Sequence, residues 1–166
     1  MDSVTPMETD SGDDYGLASP AYTRDTAGHL QVDKHGDQRL EVLVIFTDAP
    51  GTLAALQMAN ELAQELGAHI RLLVPYEVPY TLPLTKPAVP VEFLEGQISN
   101  LADKTRLEVA AHIYLCRDKR RTLELLLRPH SLIVVGGKKR WWSTCAQKLA
   151  QGLQKDGHHV IFAELR

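Results

Sequence analysis

The chain has 166 residues, of which 44% are apolar and 23% charged, a composition close to that of an average soluble domain, and a net charge of −3. No apolar run approaches the roughly 18 residues of a transmembrane helix. The acidic N-terminus lacks the apolar core of a secretory signal and the arginines of a transit peptide. The cysteines and histidines are not spaced like metal ligands, so we expect no metal site. Together these features predict a cytoplasmic protein that has reduced thiols and no membrane segment.

Charge divides the chain into two parts. Residues 1–38 carry eight acids and two bases, a net charge of −6, so the other 128 residues carry +3 to reach the total of −3. The first part is rich in Asp, Ser, Thr, Gly and Pro and buries too little apolar surface to offset its ordering entropy. We predict an acidic, mostly disordered tail over 1–38, where only 29–32 alternates as a short strand would, and one folded domain over 39–166.

Strands and helices alternate from the start of the folded part. The nearly continuous apolar, β-branched run at 40–46 predicts a strand that is covered on both faces. Apolar residues at helical spacing over 53–66 predict a helix that ends at Gly67. A second strand is predicted at 69–74, and a long loop follows because five prolines stand within 75–90.

The remaining elements are shorter and continue the alternation. They are a helix around 93–101, a strand at 108–116, a helix at 119–127, a strand at 131–137, a helix at 143–155 and a strand at 158–165. This order is typical of a parallel sheet with right-handed crossovers and helices on both faces. We therefore predict a single doubly wound α/β domain with five parallel strands.

Ligands of such sheets bind beyond the carboxyl ends of the strands. The segment that follows the strand at 131–137 combines two glycines, three positive charges and a helix start, which together favour a bound anion. Its residues are Gly136, Gly137, Lys138, Lys139, Arg140, Ser143 and Thr144. The sequence predicts a phosphate or other anion site here, and the alternative is a solvated basic turn with an ordinary Ser N-cap.

Two neighbouring features bear on the same edge of the sheet. A second basic cluster follows the strand at 108–116 and consists of Arg117, Lys119, Arg120 and Arg121. It is either a solvated helix start or a further anion contact. Adjacent indoles are costly to expose, so we expect one of Trp141 and Trp142 to pack on the domain and the other to cover a ligand or partner. Nucleic acid is disfavoured, because the domain carries only +3 and no basic–aromatic interleaving.

No catalytic pattern stands out. The turn after the first strand, residues 47–52, contains no G-x-G-x-x-G, and the chain has no G-x-x-x-x-G-K-[ST] or G-x-S-x-G motif. A phosphoaccepting receiver domain would need further acids beside Asp48, and a flavin site would need a polar phosphate loop after the first strand. Asp48 is expected to hydrogen-bond either a ribose or a loop backbone. We therefore expect no enzyme activity.

The segments 42–48 and 131–137, together with the order of the elements, resemble the universal stress protein family over about residues 40–165. The resemblance implies a strand order of 3-2-1-4-5, a homodimer through the last strand (His158–Leu165), and adenine-nucleotide binding. It also implies that Asp48 and Val74 lie near the base or ribose and that Gly136 begins the phosphate loop. Lys139 stands where that loop has its second glycine, and the stretch to Ser143 is shorter.

The short basic loop over 137–142 is similar to the stress-protein-like domain of potassium-sensing histidine kinases, some members of which bind cyclic dinucleotides. The resemblance thus implies a non-catalytic stress-response or signalling module that binds ATP, AMP or a cyclic dinucleotide and requires no cofactor. The nucleotide or anion would contact Asp48, Val74, Gly136, Gly137, Lys138, Lys139, Arg140, Ser143 and Thr144. The alternative is a ligand-free dimeric module that recruits a signalling protein.

Overall fold

The computed structural model describes residues 22–24, 40–138 and 144–165. Within these ranges six strands form one sheet and four helices pack on it. None of the four helices is long and apolar enough to cross a membrane. In chain order the elements are β1 (Tyr22–Arg24), β2 (Glu41–Ile45), α1 (Ala49–Leu66), β3 (His69–Glu77), α2 (Val91–Thr105), β4 (Val109–Cys116), α3 (Lys119–Leu126), β5 (Leu132–Gly137), α4 (Cys145–Lys155) and β6 (His159–Glu164).

Five of the strands are parallel and lie in the order β4-β3-β2-β5-β6, which is 3-2-1-4-5 when these five are numbered along the chain. The predicted fold and strand order are confirmed. β1 adds an antiparallel strand to the edge of β4, with Tyr22 opposite Ile113 and Arg24 opposite Ala111. The strand predicted at 29–32 lies outside the described residues.

Two apolar cores lie on opposite faces of the sheet. Successive strand residues point to opposite faces, so Val44 packs against α1 and α2, whereas Ile45 packs against α3 and α4. Leu56 fills the first core and Leu123 the second, and both are fully buried. The first two helices therefore cover one face and the last two cover the other, as a doubly wound domain requires.

Helix starts are fixed by polar side chains that follow the strands. Asp48 Oδ1 accepts a hydrogen bond from Gly51 N at 2.7 Å and caps α1, and Asp118 Oδ1 accepts from Arg121 N at 3.0 Å and caps α3. Gly67 ends α1 in the left-handed conformation, with a φ of 62°. Because each cap directly follows a parallel strand, the N-termini of these helices meet at the carboxyl edge of the sheet.

β3 continues three residues beyond its predicted end, through Pro75 to Glu77. Phe46 N donates to Leu73 O, so the backbone N–H and C=O groups of Leu73 point toward β2. Pro75 stands two residues later in the strand, and its backbone therefore points to the same side. The ladder between β2 and β3 ends at the pair Ile45–Leu73, so the missing N–H of proline faces no strand there. Meanwhile β3 remains paired with β4 as far as Cys116.

The proline-rich loop at 78–90 is attached to the sheet by Arg117. The Nη1 atom of this side chain donates to the carbonyl oxygens of Val78 at 3.0 Å, Pro79 at 2.6 Å and Leu82 at 2.9 Å. Its guanidinium also lies 5.1 Å from the ring centre of Tyr80, a cation–π distance. One cation thereby fixes the first five residues of the loop.

Candidate functional site

A cleft of about 310 Å³ opens at the carboxyl edge of the sheet, where the winding reverses between β2 and β5. This is the place where doubly wound sheets bind their ligands. We call it the carboxyl-edge cleft; its lining residues are Phe46, Thr47, Asp48, Lys119, Gly137, Lys138, Thr144, Cys145, Ala146 and Leu149. The cleft joins the ends of two strands to the starts of α1, α3 and α4.

The lining of the carboxyl-edge cleft includes cationic and apolar residues as well as the carboxylate of Asp48. Lys119 and Lys138 supply its positive charge, and neither forms an ion pair with any residue in the described ranges. Phe46 and Leu149 supply half-buried apolar surface. Such a lining suits a ligand that combines an anionic group with a flat or apolar body.

Thr144 shapes the α4 side of the cleft through a capping box. Its hydroxyl accepts a hydrogen bond from Gln147 N at 3.2 Å, and its own backbone N–H donates to Gln147 Oε1 at 2.8 Å. The same hydroxyl lies 3.5 Å from Lys138 O, which brings the start of α4 to the end of β5. The positive end of the α4 dipole therefore lies on the same side of the cleft as Lys138.

Asp48 and Gly136 have structural partners that restrict their roles. Asp48 lines the cleft, but its Oδ1 atom is occupied by the capping bond to Gly51 N. The carbonyl oxygen of Gly136 accepts the Thr47 hydroxyl at 2.8 Å, and a Cβ on Gly136 would collide with the backbone of Gly51. The structure thus uses Gly136 for close packing of α1 on β5, beside the cleft rather than in its lining.

The predicted site residues divide into three groups. Asp48, Gly137, Lys138 and Thr144 meet in the cleft. Gly136 and Val74 lie outside the lining: Gly136 packs on Gly51, and Val74, which is only 4% exposed, belongs to the core that α1 and α2 cover. Lys139, Arg140 and Ser143 lie outside the described residues, as do both tryptophans. The helix predicted from 143 begins at Cys145, and Thr144 is its N-cap.

The second basic cluster does not act as one unit. Arg117 anchors the proline-rich loop. Arg120 pairs with Glu124 at 3.1 Å and with Asp156 at 3.5 Å. Lys119 lines the carboxyl-edge cleft, and its backbone N–H donates to Glu77 Oε1 at 3.3 Å. Lys119 is therefore a cleft residue that the sequence-based prediction of the site did not include. Its position directly after a parallel strand was the signal that could have placed it there.

The two cysteines have different environments. Cys116 is buried beneath the start of α3, and its thiol lies 3.5 Å from Tyr76 O. Burial raises the pKa of the Cys116 thiol, an effect that a hydrogen bond with Thr122 partly opposes. Cys145 is exposed and lines the cleft. Cys145 therefore offers a chemical probe of the cleft, with Cys116 as an internal reference.

No group of three or more His, Cys, Asp or Glu side chains in the described ranges is arranged to hold a metal ion. No family model, curated protein or solved structure matches the chain. The similarity to universal stress proteins therefore stays a prediction from the sequence, and the functional argument depends on the geometry of the cleft.

Proposed function

We propose that the chain is a stress-response or signalling module of the cytoplasm that binds an adenine nucleotide or a related phosphate-bearing ligand in the carboxyl-edge cleft. One observation carries the proposal. Lys119 and Lys138, which have no ion-pair partner in the described ranges, converge with the start of α4 at the reversal point of the sheet. Two cations and a helix N-terminus around one cleft favour a phosphate group.

The ligand is oriented by the cationic and the apolar residues of the cleft. Its phosphate lies against Lys119, Lys138 and the first turn of α4, and its base or sugar packs on Phe46 and Leu149. Asp48 contributes little to ribose binding through Oδ1, because that atom already caps α1. The proposal assigns binding without turnover, since the carboxylate that lines the cleft, Asp48, caps α1.

Calorimetric titration with AMP, ATP and cyclic di-AMP tests the proposal. We expect at least one of them to bind with a Kd below about 1 mM, equivalent to about −4 kcal/mol. The variant Lys119→Ala/Lys138→Ala should bind at least about tenfold more weakly, because each charge-assisted contact contributes about 1.5–3 kcal/mol. Lys148→Ala, which removes an exposed α4 cation outside the cleft lining, is the matched control. Absence of binding by all three nucleotides contradicts the proposal.

The free side of β6 favours a second candidate function, a dimeric interaction module. His159 N donates to Ser131 O at 3.0 Å, so the odd-numbered residues of β6 turn their backbone groups toward β5. The even-numbered residues, including Val160, turn theirs outward. The outward carbonyl of Val160 accepts only the side-chain amide of Gln154 among described groups, at 3.3 Å. A second copy can therefore add its own β6 here.

A two-fold axis at Ile161 gives an antiparallel register that suits this edge. It places Val160 opposite Phe162 of the second copy, and His158 opposite Glu164 of the second copy. Pairs of β-branched with aromatic residues stabilise antiparallel ladders.

Size-exclusion chromatography with light scattering tests this candidate. We expect a dimer for the unmodified chain and a monomer for Val160→Lys, because a charge on an edge strand blocks strand addition. Gln151→Lys adds the same charge to an exposed position of α4 and should remain dimeric. A monomeric unmodified chain at high concentration contradicts the dimer.

A further inference from the structure

The direction of β1 determines where the acidic tail leads. β1 is antiparallel to β4, with Arg24 opposite Ala111 and Tyr22 opposite Ile113. Toward its N-terminus the chain therefore passes along β4 in the direction of Cys116, the end of the strand that precedes α3. The N-terminal end of β1, to which residues 1–21 are joined, is therefore the end nearer the carboxyl-edge cleft.

The charge of this segment is opposite to that of the edge. Residues 1–21 contain five acids and no lysine or arginine, and three of the acids stand close together at Asp10, Asp13 and Asp14. At the edge, Lys119 and Lys138 have no ion-pair partner in the described ranges.

The length of the segment is sufficient for contact. Asp13 stands nine positions before Tyr22, and an extended chain of that length spans about 30 Å. Six residues, four of them in β4, lead from Ile113 to the start of α3. The distance between these two points is therefore about 20 Å at most. The acids can thus reach Lys119 without any change in the sheet.

We infer that residues 1–21 bind in cis across the carboxyl edge, with the carboxylates at Asp10–Asp14 against Lys119 and Lys138, and that the tail competes there with anionic ligands. The tail is then an internal competitor that raises the ligand concentration needed for occupancy. The competition with a ligand rests on the proposed function of the cleft. The contact between tail and edge does not.

Two full-length variants with equal changes of charge test the inference. Asp10→Asn/Asp13→Asn/Asp14→Asn removes three negative charges before β1, and Asp25→Asn/Asp33→Asn/Asp37→Asn removes three after it. Calorimetry with inorganic pyrophosphate at low salt should give about two- to tenfold tighter binding for the first variant, the range expected for a tethered competitor at millimolar effective concentration. The second variant should match the unmodified chain, and the difference should disappear at about 0.5 M salt. Equal affinities for all three chains, or equal gains for both variants, overturn the inference.

A peptide of residues 1–21 separates this inference from the function of the cleft. Labelled with a fluorophore, it should bind the first variant by anisotropy, bind the unmodified chain more weakly, and lose its binding when Lys119→Ala/Lys138→Ala is added. If the peptide binds in this way but no pyrophosphate binds any chain, the contact is supported and the proposed function fails. If pyrophosphate binds but the peptide binds none of the chains, the inference is overturned and the proposed function stands.

Discussion

Gly51 and Gly136 lie in direct backbone contact at the carboxyl edge of the sheet. A Cβ on Gly51 would lie 2.6 Å from the carbonyl oxygen of Gly136, and the Thr47 hydroxyl donates to that same oxygen at 2.8 Å. The contact seats the first turn of α1 on the end of β5, which brings Asp48 beside Gly137 in the lining of the cleft. The shape of the cleft therefore depends on two glycines that do not line it.

Substitution of Gly136 should destabilise the fold. Gly136→Ala forces a methyl group into the backbone of Gly51, and overpacking of this kind costs about 3 kcal/mol of unfolding free energy, the upper part of the usual range. Urea unfolding followed by circular dichroism measures the change. Gly96→Ala is the control, because a Cβ there meets open space in α2, and it should stabilise by about 0.5–1 kcal/mol. Similar stabilities for the two variants would refute the role of the contact.

Arg117 should control the order of the proline-rich loop. Arg117→Ala removes the donor to Val78, Pro79 and Leu82, so amide exchange in residues 78–82 should accelerate and stability should fall by about 1.5–3 kcal/mol. Arg120→Ala removes an exposed cation three residues away and should cost no more than about 1 kcal/mol. Hydrogen exchange read by mass spectrometry distinguishes them, and unchanged loop exchange in Arg117→Ala would be evidence against the anchor.

The cysteines should differ in reactivity. In the native protein iodoacetamide should modify Cys145 alone, because Cys116 is buried and burial raises the pKa of its thiol, which leaves less of the reactive thiolate. Both should react in denaturant. A nucleotide in the cleft should slow modification of Cys145, as peptide mass mapping can measure. Modification of Cys116 first would contradict the packing of β4 against α3.

The Cys116 thiol also predicts a dependence of stability on pH. Its pKa in the folded protein lies above the ordinary value of 9.0 because burial disfavours the thiolate. The unfolded chain therefore loses this proton first, so the contribution to stability is complete below pH 9.0 and decreases as pH rises toward the folded-state pKa. Cys116→Ala should show a shallower loss of stability above that pH than the unmodified chain. Identical alkaline profiles would exclude this contribution.

The sequence was sufficient to predict the five parallel strands of the sheet, but it did not predict β1, and local signals misplaced some boundaries. Buried strands such as β5 stand out because covered parallel strands are continuously apolar. Pro75 predicted the end of β3, yet the strand continues because the shorter β2 leaves that side of Pro75 without a partner strand. Whether a proline interrupts a ladder depends on the length of the neighbouring strand, which local sequence does not contain.

The sequence predicted the location of the candidate site better than it predicted which residues line it. Gly137, Lys138 and Thr144 fall within eight consecutive residues and meet in the cleft, whereas Lys119 reaches it through the order of the strands. Val74 lies in the core because its alternation places it on the face that α1 and α2 cover. Gly136 has the residue type of a phosphate loop but contacts Gly51. Such roles depend on which elements become neighbours in the fold.

Amide chemical-shift mapping during titration with AMP is the most direct test of the account. We predict saturable shifts concentrated at Gly137, Lys138, Thr144 and Cys145, with a smaller effect at Lys119, and their loss in Lys119→Ala/Lys138→Ala. The amides of α2, which has no residue in the cleft, should stay unchanged. If AMP, ATP and cyclic di-AMP leave the cleft amides unshifted at millimolar concentration, or shift α2 instead, the carboxyl-edge cleft is not a nucleotide site.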